Sequence, residues 1–340
     1  MRVALDAQLT VGTATGIGEY VRGLASALRE RGSDVVELRD LALDPWRFDR
    51  RVVWDQVLLP RRARASGADL LHCAAGTMPR AAMPVVVTVH DLAWHEVQQH
   101  APAYARWYFG PFSLARYRRA ANVAVDSQFT GDELLRICGD LDPARVHVVY
   151  PGVASDYCGL DRQSGDRATI LAVGTVERRK NLEVLVRALA QLDGARLVAI
   201  GPATPYAQEC IALARELRVA DRLEMRGYVS RDELLLLYKT AAVAAVPSRY
   251  EGFGYAAAQA LCAGVPCVVS DCSSLPEIAG GDARVVAAGD AAAWSAALAA
   301  ALRGDDDERA ARVRAGAIAR FAWASSASAM ERLYASSVDR

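Results

Sequence analysis

Short β-branched and aliphatic runs alternate with longer helical patterns along almost the whole chain, the pattern of parallel sheets joined by crossover helices. A first series of runs comprises Arg2–Asp6, Val35–Leu38, Asp69–His72, Val85–His90, Val123–Asp126 and Val146–Val149. Helical patterns such as Glu19–Arg31 and Asp132–Cys138 lie between them. The alternation then lapses at Pro151-Gly152 and the polar stretch Asp161–Arg167. It resumes through Thr169–Gly174, Arg196–Gly201, Arg222–Arg226, Ala242–Val246, Cys267–Ser270 and Arg284–Ala287. A chain of 340 residues exceeds a usual single core, so two α/β domains are expected. The boundaries fall at 1–155 for the first domain, 156–168 for a linker, 169–320 for the second domain and 321–340 for a C-terminal helix free to return to the first.

Forty basic side chains balance forty acidic ones, which leaves no net charge to draw the chain to nucleic acid or to an anionic surface. An anion must therefore be captured locally. No run of about 18 apolar residues is present, and the opening MRVALDA lacks the features of a signal peptide, so a cytoplasmic protein is expected. The seven cysteines are odd in number and mostly lie in apolar runs, as expected of reduced, buried thiols. Cys262, Cys267 and Cys272 are evenly spaced but lack a Cys-x-x-Cys pair or a nearby His, which favours packing over metal binding. Trp107-Tyr108-Phe109 and Phe112, followed by Arg116, Arg118 and Arg119, would suit a peripheral contact with the inner membrane face. A helix packed on the sheet with a basic outer face is the preferred account in a neutral chain.

Open α/β sheets bind ligands beyond the carboxyl ends of their strands, so the chemistry is sought on those loops. Thr169–Val173 runs into Gly174-Thr175-Val176-Glu177-Arg178-Arg179-Lys180-Asn181 before a helix with Leu182, Leu185 and Leu189 on one face. Three adjacent cations at a helix start oppose the macrodipole unless an anion is held there. Arg179 and Lys180 are thus candidates to hold a diphosphate and to stabilise its charge as it departs. After Ala242–Val246 comes Pro247-Ser248-Arg249-Tyr250-Glu251-Gly252-Phe253-Gly254-Tyr255-Ala256. Here the helix-start amides of Gly254, Tyr255 and Ala256 offer an anion site, with Phe253 beside them and Glu251 as an acceptor for sugar hydroxyls. Gln259, further along, could reach a ribose. His90 ends an apolar strand next to Asp91, unlike His72 and His147, for which core roles are expected.

This second segment resembles the family-4 retaining glycosyltransferases of the GT-B fold, marked by a Glu, seven residues and a second Glu within a Ser-x-x-Glu-Gly-Phe-Gly-like stretch. The first Glu is Glu251, and the second position is occupied by Gln259. An amide there can still accept a ribose hydrogen bond but carries no charge. Thr15-Gly16-Ile17-Gly18-Glu19-Tyr20 is similar to the family's glycine loop, which makes Gly16 and Gly18 substrate-binding candidates. Thr88-Val89-His90-Asp91-Leu92 resembles the strand-end histidine segment that approaches the donor sugar. Gly227-Tyr228-Val229 resembles the turn that meets the nucleotide base, and Ser273-Ser274-Leu275-Pro276-Glu277 a segment serving loop geometry.

The resemblance implies two Rossmann-like domains facing across a cleft and retaining transfer of a hexose from a nucleotide-sugar donor to a glycan, lipid-linked or small-molecule acceptor. His90, Arg179, Lys180 and Glu251 would be catalytic. No cofactor and no metal are expected, because no Asp-x-Asp stands on a strand-end loop. The glycine loop and the cationic loop together resemble mannosyltransferases of polysaccharide assembly, which makes GDP-mannose the preferred donor ahead of UDP- or dTDP-sugars. A nicotinamide oxidoreductase is disfavoured, since no Gly-x-Gly-x-x-Gly with its distal acid follows Arg2–Asp6. A nucleotide-sugar-binding protein without transferase activity is the remaining alternative, raised by Gln259.

Overall fold

The computed structural model describes residues 1–12, 16–96, 102–162 and 168–338. Twelve strands form two all-parallel sheets of six strands each. In the first sheet, β1 (Arg2–Asp6), β2 (Asp34–Leu38), β3 (Leu70–Cys73), β4 (Val85–Val89), β5 (Asn122–Val125) and β6 (Val146–Val148) are ordered β2-β1-β3-β4-β5-β6. In the second, β7 (Thr169–Val173), β8 (Arg196–Ile200), β9 (Leu223–Gly227), β10 (Val243–Val246), β11 (Cys267–Ser270) and β12 (Arg284–Val286) are ordered β12-β11-β10-β7-β8-β9. The central strands are buried on both faces, which is why they read as continuous apolar runs.

Two compact units divide the chain: Met1–Gly152 with Ala322–Arg340, and Val153–Phe321. Residues 156–162, expected in a linker, belong to the second unit. Tyr157 is fully buried with its ring 5.2 Å from that of Tyr238, and Arg162 donates to the carbonyls of Ala241 at 3.0 Å and Gly264 at 3.2 Å. The rest of that expected linker, 163–167, lies outside the described residues, as does Thr15 of the glycine loop.

The C-terminal helix Trp323–Val338 packs within the first unit. Tyr334 Oη lies 2.7 Å from His72 Nδ1, and Asn122 Nδ2 donates to Ser337 Oγ at 2.7 Å. The indole of Trp323 fills space left by two glycines: a Cβ on Gly23 or on Gly152 would stand 2.2 Å from a ring atom. Gly23 lies inside the helix Gly16–Glu30, where alanine would ordinarily gain about 1 kcal/mol. Overpacking, at about 1–3 kcal/mol, reverses that sign. Gly23→Ala should therefore lower the melting temperature, and in a Trp323→Leu background it should not. A higher melting temperature for Gly23→Ala alone would refute this packing.

Candidate functional site

The strand order of the second sheet reverses between β7 and β10, so the loops leaving these two strands diverge and open a crevice at their carboxyl ends. The β7 loop passes close to that of β8, since a Cβ at Gly201 would stand 2.3 Å from the Gly174 carbonyl oxygen. A single turn, Arg178–Lys180, then leads to Asn181 in a left-handed conformation, φ 55°. The buried Asn181 amide donates to the carbonyls of Pro247 at 3.0 Å and Ala288 at 2.8 Å, tying the β7 loop to the β10 loop.

On this frame the structure brings together three of the sequence candidates. Lys180 Nζ lies 2.5 Å from Glu251 Oε1, and Arg179 Nη1 donates to Tyr250 O at 3.1 Å and to Glu251 Oε2 at 3.4 Å. Ser248 Oγ donates to Glu251 Oε1 at 2.7 Å, and the Glu251 amide donates to Ser273 Oγ at 2.9 Å. Burial pushes the Glu251 carboxyl up, but Lys180, Arg179 and the Ser248 hydroxyl outweigh burial and hold it below its ordinary value. The three consecutive cations do not act together. Arg178 turns away, binds both oxygens of Glu209 at 2.7 Å and lies over the Tyr206 ring. The crevice therefore presents two oriented cations held by one buried carboxylate, a geometry suited to an anion that carries several oxygens.

Gly254 adopts φ 94° at the start of the helix Tyr255–Ala263, and a Cβ there would lie 2.7 Å from Leu275 Cδ2. Phe253 is buried, edge-on to Tyr255 and Phe321. It packs the loop from behind. Ser274 Oγ lies at hydrogen-bond distance from the carbonyls of Glu251 and Phe253, so the serine pair braces this loop. Gln259 is nearly buried on the same helix and accepts from Tyr238 Oη at 3.2 Å. Tyr255 and Ala256 are partly exposed at the helix start, Tyr228 is 64% exposed and Val229 is partly exposed after β9. No hydrogen bond or ion pair joins Gln259, Tyr228 or Val229 to the Lys180–Glu251 cluster among the described residues.

In the first unit, His90 follows β4 and Asp126 follows the neighbouring β5. His90 Nδ1 donates to Asp126 Oδ2 at 2.7 Å and Nε2 to the Ala74 carbonyl at 2.8 Å, while Tyr20 meets the ring edge-on at 4.8 Å. Burial pushes the His90 pKa down, but Asp126, Ala74 and Asp91 outweigh it and the net direction is up. Burial outweighs the charge of His90 and raises the Asp126 pKa as well, so the pair shares a proton at Nδ1 while Nε2 faces the Ala74 carbonyl. Asp91 Oδ1 accepts from the Ala93 amide at 3.1 Å, capping the next turn. Gly16 is exposed at the start of Gly16–Glu30 with no atom within 4 Å of a built Cβ, whereas Gly18 is buried. Asp126, Ser248 and Asn181 were missed in the sequence, whereas Ser273 falls in the segment expected to serve loop geometry. Asp126, a strand-end acid on the run next to that of His90, was the one with a visible signal.

Residues 14–157 match the family described as Glycosyltransferase Family 4, and residues 161–320 match Glycosyl transferases group 1. The chain belongs to the GT-B glycosyltransferases of family 4 and group 1. D-inositol 3-phosphate glycosyltransferase of Xylanimonas cellulosilytica is 38% identical over 62% of this chain and 55% of its own length. The enzyme of the same name from Mycolicibacterium smegmatis is 31% identical over 75% and 62%. The chain spans about half the length of the curated relatives it matches first. Among solved structures, Anabaena HepE in complex with UDP-glucose superposes with a TM-score of 0.75 at 15% identity, covering 99% of this chain and 100% of that one. Sucrose-phosphate synthase from Thermosynechococcus elongatus gives 0.70 at 22% identity, with 98% of each chain covered. These likenesses establish the GT-B fold.

A histidine whose folded pKa is raised stabilises the protein fully below its ordinary value near 6.5, and that contribution is lost as pH rises through the folded value. An NMR titration should show His90 titrating above 6.5, and Asp126→Asn should bring it down. A wild-type His90 titrating below 6.5, or no change in Asp126→Asn, would overturn the role of Asp126 in raising it.

Proposed function

We propose that the chain is a retaining glycosyltransferase that moves a hexose from a nucleoside-diphosphate sugar to an acceptor hydroxyl without a metal ion. The observation that carries this is the Lys180–Glu251–Arg179 cluster at the crevice of the second sheet. An arriving diphosphate competes with Glu251 for the two cations, of which Arg179 is oriented by Tyr250 and Glu177, while Ser248 holds Glu251. Their charge then meets the negative charge that grows on the leaving group, and the amides at Tyr255 and Ala256 add helix-end polarity. This supply of charge takes the place of a divalent cation. Among the described residues no cluster of His, Cys, Asp and Glu is arranged to hold one.

The open backbone at Gly16, where nothing within 4 Å among the described residues demands a glycine, supports a substrate passing close to the first unit. His90, its pKa raised by Asp126, would face a donor sugar with a ring whose orientation Asp126 and Ala74 fix. The relatives' names specify D-inositol 3-phosphate, and the complexed neighbour holds UDP-glucose. Neither name carries mannose, so the GDP-mannose preference rests on motif resemblance alone and the donor is proposed as a class. A glycan, a lipid-linked sugar or a small polyol serves as acceptor, and the site of action is the cytoplasm. Among the described residues no helix is long and apolar enough to cross a membrane.

A thermal-shift screen of GDP, UDP, dTDP and ADP with their sugars identifies the donor, because a bound ligand raises the melting temperature selectively. With that donor, transfer should persist in excess EDTA, and Lys180→Ala should lower kcat and kcat/KM together by roughly 10²–10³-fold. Loss in EDTA restored by magnesium, or near-normal turnover of Lys180→Ala, would sink the mechanism. Gln259→Glu places a carboxylate beside Tyr238 and should change donor affinity with the fold intact. An unaltered dissociation constant would remove position 259 from the nucleotide site.

A further inference from the structure

The Lys180–Glu251 crevice and His90 stand at the carboxyl ends of their strands, whereas a second feature lies at the amino ends of β4 and β5. Beside Pro84-Val85 and Ala121, where these strands begin, is a cavity of about 410 Å³. Met78, Pro79 and Met83 give it an apolar wall, and Arg80, Arg116 and Arg119 supply the charge. No carboxylate lines it among the described residues.

The placement of the arginines follows from the helix Ser113–Tyr117 and the turn after it. Arg116 and Arg119, three apart, reach the cavity, while Arg118 pairs with Asp140 at 2.6 Å elsewhere. The Arg116 guanidinium lies 4.3 Å from the Phe112 ring centroid, which holds it in place. Its Nη1 is buried with no hydrogen-bond partner, and among the described residues none of the three guanidiniums has an ion pair. Burial, then the charges of Arg80 and Arg119, push the Arg116 pKa down. Like charges converging beside a buried, unsatisfied donor cost free energy that a bound anion would recover.

We propose that this cavity binds a phosphate-bearing molecule with a nonpolar part, its phosphate oxygens on Arg116, Arg80 and Arg119 and its nonpolar part against Met78, Pro79 and Met83. It is a site separate from the Lys180–Glu251 crevice, since it lies in the other unit. It is also distinct from the His90 site, since it lies at the opposite end of β4. The phosphate is supplied either by a lipid headgroup or by a soluble phosphate ester.

The test uses the full chain in the Lys180→Ala background, and because Arg179 still holds anions at the crevice, the cavity is read from the difference that a change at Arg116 makes. Inorganic pyrophosphate is titrated at constant ionic strength, and sedimentation is measured with phosphatidylglycerol-containing and pure phosphatidylcholine vesicles. Adding Arg116→Met should weaken one of these interactions about tenfold, the loss of one charge-assisted hydrogen bond. Dependence on Arg116 in the pyrophosphate titration identifies a soluble ligand, and in sedimentation with phosphatidylglycerol vesicles a lipid headgroup. If Arg116→Met fails to fold, Arg119→Gln, at an exposed position, replaces it. A folded variant that matches its parent in both measurements overturns the proposal.

Discussion

The second unit depends on keeping one carboxylate, Glu251, charged while it is buried. An ionised carboxylate withdrawn from water carries a penalty of several kcal/mol, repaid only by close opposite charge and hydrogen bonds to its remaining lone pairs. Here Lys180, Arg179 and Ser248 supply both. The same arrangement fixes two long cationic side chains that would otherwise sample many rotamers. Asn181 joins the loops that carry the two halves of the cluster, and its left-handed backbone tolerates the residue type that most readily adopts it after glycine. The cations are therefore in place before any ligand arrives, which is the condition for electrostatic stabilisation without reorganisation.

What could be read from the sequence follows from the range of the interactions involved. The parallel strands were legible because burial on both faces writes itself as continuous aliphatic runs, such as Val85–Val89. Helix starts were less so. The helix expected from Asp132 begins at Gln128, because Ser127 Oγ accepts from the Thr130 amide and caps a turn with little apolar periodicity. The cationic loop was visible as a run of charge, but the parting of Arg178 from Arg179 and Lys180 depends on the tight turn between Glu177 and Asn181. That turn sends successive side chains in different directions. Gln259 was visible as an amide replacing an acid, whereas its partner Tyr238 comes from a separate helix and could not be inferred.

The first unit shifts two histidines in opposite directions, the buried His72 down and the partly buried His90 up. His72 bonds Thr88 Oγ1 at 2.8 Å and Tyr334 Oη at 2.7 Å, neutral groups that can take the donor or the acceptor role. Burial therefore dominates and, with the nearby His90 charge, pushes its pKa down to about 3. His90 meets the Asp126 carboxyl and a backbone carbonyl, and these outweigh burial and raise its pKa. Tyr20 stands edge-on to the His90 ring and reaches Thr88 Oγ1 at 3.1 Å, so the threonine hydroxyl joins the two environments.

This network also gives a reason for the C-terminal helix to pack in the first unit, beyond the burial of Trp323. Tyr334 Oη sits on His72 and the Ser337 hydroxyl accepts from Asn122, so the helix satisfies two buried polar groups that the sheet cannot satisfy by itself. Leaving either without a partner would cost about 1–3 kcal/mol, comparable with the gain from burying a large apolar side chain. Asn122 opens β5 and His72 lies in β3, so the helix bonds two strands that are separated by β4. It thereby fixes the strands on either side of the one that carries His90.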